Sequence, residues 1–138
     1  MLYDGGKKIF AEVPGEINAV HLYSLDDSFA KTICFGEKLY DYNEVADREY
    51  ENRPITATCV QQYEDFFVIL YIDESMKDYY TDDTWRPSLI IVPWDGNDIR
   101  KLNMPDRVTS FDLDMDTFYL WAFDSDTETM YVYDVSKI

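Results

Sequence analysis

"VTSFDLDMDTFYLWAFDSDTETMYVYDVS", residues 108–136, decides the fold. Apolar side chains recur at every second position in three short runs, the runs are joined by acidic turns, and no helical period develops. The same texture extends towards the start of the chain. Short runs rich in β-branched and aromatic residues, bounded by Gly, Pro, Asp, Asn or Ser, occupy 7–13, 18–26, 29–36, 54–60, 65–73, 88–95, 98–105, 108–114, 117–124 and 129–135. Ten strands and no convincing helix predict an all-β chain, and 138 residues fit a single domain spanning 1–138. Aromatics at 17% of residues suit sheets that stack face to face through large side chains.

The connections predict hairpins. "WDGND" sets Asp-Gly between two runs, and "DSDTET" and "LDDS" supply carboxylates and hydroxyls that bond their own backbone in tight turns. Two polar, tyrosine-bearing segments interrupt this rhythm: "EKLYDYNEVADREYENR" (37–53) and "ESMKDYYTDDTWR" (74–86). Both read as insertions between strands. Only "YNEVADREYEN" offers a helical turn, a marginal one because Asn, Asp and aromatic residues are weak helix formers.

Self-comparison exposes a repeat. "RPITATCVQQYEDFFVILYID" (53–73) overlays "DRVTSFDLDMDTFYLWAFD" (106–124), with Ile55 and Thr56 on Val108 and Thr109. "HLYSLDDSFAKTI" (21–33) overlays "IIVPWDGNDIRKL" (90–102), with Asp26 on Asp95, Lys31 on Arg100 and Ile33 on Leu102. Four antiparallel strands recurring at roughly 40 to 55 residues are the mark of a β-propeller blade, a small sheet that buries its faces only against neighbours. A β-sandwich is the alternative, since evenly spaced strands suit it as well.

Residues 92–136, "VPWDGNDIRKLNMPDRVTSFDLDMDTFYLWAFDSDTETMYVYDVS", resemble the C-terminal blades of the TolB-like six-bladed β-propeller proteins of Bacteroidales. The W-D-G turn, the basic-apolar strand with its proline, "VTSFDLD" opening the next unit and "YVY" after it carry the likeness. "DGGKKIFAEV" (4–13) is similar to the turn that joins an inner to a middle strand in such blades. The resemblance implies a partial β-propeller of about two and a half blades and a register. Strands 7–13, 18–26 and 29–36 become the last three of one blade; 54–60, 65–73, 88–95 and 98–105 a complete second; 108–114, 117–124 and 129–135 the first three of a third. It implies the C-terminal part of a six-bladed ring, or assembly from several copies, and a place in the cell envelope.

Composition excludes several function classes. With 28 acidic against 12 basic residues the net charge is −16, which repels phosphate backbones and anionic lipid, so nucleic acid is not an expected partner. No run approaches ~18 apolar residues, so no membrane span is expected, and "MLYDGGKKIF" lacks the apolar core of a signal peptide. Cys34 and Cys59 lack a C-x-x-C spacing and read as buried free thiols, with a disulfide between neighbouring strands as the other reading. His21 stands alone and reads as a structural imidazole.

Asp112, Asp114 and Asp116, and then Asp124, Asp126 and Glu128, alternate as calcium ligands sometimes do. Their spacing lacks the glycine and terminal glutamate of an EF-hand loop, and alternate carboxylates on a strand line its solvent face while Phe111, Leu113 and Met115 face inward. No metal site and no cofactor are therefore expected. No Ser-His-Asp set or G-x-S-x-G motif is present, so no catalytic residue is nominated. The binding candidates are Tyr79, Tyr80, Trp85 and Arg86 in "KDYYTDDTWRP" (77–87), because exposed aromatic and guanidinium groups on loops form contact hot spots or stack on sugar rings. The competing reading folds Tyr79, Tyr80 and Trp85 back over their own sheet as an apolar lid. The expectation is a non-catalytic binding or scaffold module for a protein or carbohydrate ligand, with self-association through open blade edges. The alternative is a fragment of a propeller hydrolase or lyase with carboxylates in a central channel.

Overall fold

The computed structural model describes residues 1–137. Eleven strands among them form three antiparallel sheets, each a meander in chain order. The first holds β1 (Leu2–Asp4), β2 (Ile9–Glu12), β3 (Ala19–Ser24) and β4 (Ala30–Cys34). The second holds β5 (Pro54–Gln62), β6 (Phe66–Ser75), β7 (Ser88–Pro93) and β8 (Arg100–Asn103). The third holds β9 (Ser110–Asp114), β10 (Tyr119–Asp124) and β11 (Thr129–Asp134). The expected pairing of the second unit holds, with β6 between β5 and β7.

The first sheet corrects the expected register. It has four strands instead of three, because Leu2–Asp4 pairs antiparallel with Ile9–Ala11. A three-residue strand is too short to display an alternation, and only the pairing partner makes it visible. The absence of helices is corrected as well. α1 (Tyr42–Asp47) starts where the Asp41 carboxylate accepts from the backbone N–H groups of Asn43 and Glu44. α2 (Met76–Thr81), unforeseen in sequence, starts where Ser75 Oγ accepts from Asp78 N–H. Neither is long enough to stand by propensity; a side-chain cap and packing hold each.

The middle sheet explains the stack. In β6 every residue from Phe67 to Ile72 is buried, because both faces are covered. Phe67, Ile69 and Tyr71, with Ile90, Val92 and Trp94, meet Ala11, Val20 and Leu22 of the first sheet. Val68, Leu70 and Leu89 point the other way and meet Phe111, Leu120 and Ala122 of the third. A strand buried on two faces reads as a continuous apolar run, whereas β10, covered on one side, alternates. Each large side chain so buried contributes about 1.5–3 kcal/mol. Gln61 Nε2 of β5 donates to the Phe111 carbonyl of β9 at 3.1 Å, and Gln62 Nε2 donates to the Tyr3 carbonyl of β1 at 3.0 Å. The first strands of the three sheets thus lie side by side along one edge. The chain is all-β, a partial β-propeller of two four-stranded blades and one three-stranded blade, open as a ring.

Three hairpins are built alike, and they account for part of the acidic composition. Asp4, Asp114 and Asp124 each close a turn by accepting backbone N–H groups on Oδ1. The fourth residue after each, Lys8, Phe118 and Glu128, takes a positive φ of 56°, 59° and 55°. The β7–β8 turn places Gly96 at φ +74°, where a Cβ would come 3.0 Å from Lys31 Cδ and 3.1 Å from Leu22 Cδ1. Only glycine fits there. Met115, expected to face the core, belongs instead to a turn and is exposed.

Cys34 and Cys59 are half-buried free thiols on different sheets. His21 is held between Thr32 Oγ1 at 2.9 Å and the Tyr42 hydroxyl at 3.2 Å.

Candidate functional site

Both insertions emerge at the same end of the stack. Thr56, at the start of β5, ties that end to the β2–β3 connection. Its N–H donates to Gly15 O at 2.8 Å, and its hydroxyl donates to Ile17 O at 2.9 Å. Asn18 is buried and holds the first insertion: Nδ2 donates to Lys38 O and Oδ1 accepts from Tyr40 N–H, both at 2.9 Å. Arg53 reaches back with its guanidinium to the Arg48 and Ala46 carbonyls, closing the C-terminal end of α1. Met76 N–H then donates to Arg53 O at 2.8 Å and joins the two insertions into one layer.

Within that layer the four nominated residues separate. Trp85 is only 5% exposed and packs on Ile55 and Ile72. Its ring stacks on Tyr79 at 5.0 Å between centroids, and its Nε1 donates to Tyr79 O at 3.2 Å. Tyr79 is half-buried beside it, and burial together with the neighbouring Tyr80 and Asp126 raises its phenol pKa. This pair forms the lid. Tyr80, 72% exposed, and Arg86, also exposed, face solvent. Arg86 Nη1 donates to the carbonyls of Asp83 and Trp85, so the guanidinium is anchored at its base.

Beside Arg86 lies a polar cleft of about 240 Å³, lined by Asp83, Asp106, Arg107, Asp124, Thr127, Thr129 and Tyr131 as well. Its floor is an ion pair that sequence reasoning missed. Arg107 and Asp124 have side chains 11% and 4% exposed, and Arg107 Nη2 stands 3.2 Å from Asp124 Oδ2 and 3.4 Å from Asp126 Oδ2. The guanidinium also lies over the Trp85 ring, 5.5 Å from its centroid. Burial works against the Asp124 charge, but the Asp126 N–H, the Thr127 hydroxyl and Arg107 outweigh it and hold the carboxyl below its ordinary value. Asp124 had been expected on a solvated edge; it is buried because the hairpin turn folds it under Arg107. The repeat contained a hint, since Asp124 ends the run that overlays 65–73, but nothing there named Arg107 as its partner.

The surroundings are acidic. Residues 37–53 carry Glu37, Asp41, Glu44, Asp47, Glu49 and Glu51 against Lys38, Arg48 and Arg53, and Glu74 follows with Asp78, Asp82 and Asp83 in the second insertion. Burial and the repulsion of Asp78, Asp82 and Asp73 raise the pKa of Glu74. Among the described residues no three His, Cys, Asp or Glu side chains converge to hold a metal ion. No helix among them is long and apolar enough to cross a membrane.

Tyrosine–aspartate hydrogen bonds stitch the stack. Tyr63 of the second sheet donates to Asp112 of β9 at 3.0 Å, and Tyr133 of β11 donates to Asp106 at 2.6 Å. Tyr40 donates to Asp73 at 2.7 Å. Asp73 takes φ 56° at a register shift in β6, a bulge that turns its carboxylate towards Tyr40. Asp112 and Asp114, carboxylates of an inner strand, are thus spent on an inter-sheet bond and a turn.

No family model matches this chain, and neither a curated protein nor a solved structure matches it.

Proposed function

We propose that this chain is a non-catalytic binding module of β-propeller type, related to the TolB-like six-bladed propellers and working in the cell envelope. Its ligand meets the insertion end. The observation that carries the reading is the division of labour around the second insertion: Tyr79, Trp85 and Arg107 form a fixed base, Arg86 lines a polar cleft beside it, and Tyr80 is exposed to solvent on α2. A guanidinium already held by two carbonyls, as Arg86 is, loses little conformational freedom on contact, which suits recognition. The acidic surroundings favour a neutral polar or cationic ligand, and a carbohydrate offers hydroxyls to the Asp and Thr groups of the cleft and a ring face to Tyr80.

The inner-strand carboxylates Asp112 and Asp114 already hold structural hydrogen bonds, which favours binding over acid–base chemistry. A glycan array probed with the labelled chain and with a Tyr80→Ala/Arg86→Ala variant tests the reading. The expected result is a defined subset of glycans bound by the natural chain and lost in the variant, with an unchanged thermal melt. Glycan binding that survives both substitutions refutes this assignment of the site.

A further inference from the structure

Charged groups in the polar cleft beside Arg86 divide into those the protein pairs internally and those it leaves open. The floor is paired. Arg107 stands between Asp124 and Asp126, and Asp124 also accepts the Asp126 N–H and the Thr127 hydroxyl. The walls are different. Asp83, exposed just after α2, and Asp106, half-buried in the connection from β8 to β9, both line the cleft, and neither forms an ion pair among the described residues. Asp106 Oδ2 accepts the Tyr133 hydroxyl at 2.6 Å, which leaves Oδ1 open.

That bond fixes the Tyr133 ring, and Tyr131 stacks on it with 6.2 Å between centroids and 14° between planes. Tyr131 therefore lines the cleft as a held phenol, and its hydroxyl forms no hydrogen bond among the described residues. Opposite these groups stands Arg86, held by two carbonyls and without a carboxylate partner. Two unpaired carboxylates against one unpaired guanidinium leave the cleft locally negative. At about 240 Å³ it is smaller than pockets for drug-sized molecules, about 300–1,000 Å³, so it suits a single residue of a longer ligand.

We propose that the ligand is a glycan carrying a free primary amine, an amino sugar without an N-acyl group; this rests on the insertion-end reading above and names the ligand class of that site. The ammonium binds Asp83 and Asp106, which reach the cleft from separate segments of the chain, and ring hydroxyls meet the Arg86 guanidinium and the Tyr131 hydroxyl. An ammonium has three donors and no acceptor, the complement of two carboxylates with open lone pairs, and such charge-assisted bonds are the strong ones. An N-acylated sugar brings one neutral donor to the same place, and a uronic acid brings a further carboxylate, so both are disfavoured by charges the protein has not paired.

The probes are a glucosamine tetramer and its N-acetylated counterpart, titrated calorimetrically into the whole chain in mildly acidic buffer, where the amine is charged and the aspartates remain ionised. The amine tetramer is expected to bind at least about tenfold more tightly. Asp83→Asn/Asp106→Asn, in which asparagine still offers Tyr133 an oxygen, should abolish that preference with an unchanged thermal melt. Asp83→Asn alone, at an exposed side chain, should already reduce it. Glu49→Gln/Glu51→Gln removes the same charge outside the cleft, at exposed residues of the first insertion, and should leave the preference intact. The proposal is overturned if both tetramers bind equally, if the preference survives the aspartate substitutions, or if the Glu49/Glu51 variant loses it as well, which would make it a response to net charge. Spermidine binding as tightly as the amine tetramer would overturn it too, since the sugar would then contribute nothing. Neutral glycans bound in preference and lost with Tyr80→Ala/Arg86→Ala would end the amine assignment and leave the glycan reading standing, whereas a folded chain that binds no glycan would end both.

Discussion

Replacing Arg107 by methionine strips the counter-charge from a carboxylate that has almost no access to water. Asp124 would keep the Asp126 N–H and the Thr127 hydroxyl, at 3.1 Å each, and lose both guanidinium contacts. Removing one partner of a buried pair costs about 3–5 kcal/mol. The surviving hydrogen bonds argue for the lower end of that range. The guanidinium over Trp85 adds about 0.5–1 kcal/mol, and methionine restores part of the packing, so the expected cost at neutral pH is about 3–4 kcal/mol. The pH dependence identifies the cause. Asp124 has a depressed pKa in the folded chain, so its contribution is present above the unfolded carboxyl value near ~3.9 and is lost as pH falls through the folded value. Below both values the carboxyl is neutral in either protein, and the difference should shrink to the packing part, under about 1 kcal/mol. Urea unfolding of both proteins, followed by tryptophan fluorescence from pH 7 downwards through the acid range, measures this. A cost below about 1 kcal/mol at pH 7, or one that stays constant with pH, would refute the reasoning.

Gly96→Ala should destabilise the chain by at least about 1–2 kcal/mol, since the left-handed backbone there disfavours a Cβ and Lys31 and Leu22 already fill its space; a melt within error of the natural chain would contradict this. In base, burial and then the Asp73 hydrogen bond push the Tyr40 phenol up to about 12, and burial raises Tyr63, Tyr71 and Tyr133 well above their ordinary value. Stability from these groups is fully present below the unfolded value near ~10 and is lost as pH rises through their folded values. Ultraviolet titration at 295 nm should therefore show two steps, the second coinciding with loss of circular dichroism; a single step near ~10 with native structure intact at higher pH would count against the buried phenols.

The strand runs, their lengths and the recurrence of a four-strand unit are properties of local pattern, and alternation in 108–136 and the continuous apolar run of 65–73 declare themselves without reference to partners. That pattern determined the all-β class, the pairing of β5 to β8, and the placing of Lys31 and Ile33 on the same footing as Arg100 and Leu102. It also singled out the second insertion as the segment that interrupts the rhythm. Three-residue β1 escaped because its only signal is the strand opposite it, and α2 escaped because its stability lies in the Ser75 cap and the packing of Met76 and Tyr79 around Trp85. Which of two adjacent tyrosines is buried, and whether an aspartate in an acidic run meets solvent or a guanidinium seventeen residues away, are decided by neighbours remote in sequence. Burial and charge pairing belong to the stacked sheets, and no local window of the chain contains both partners.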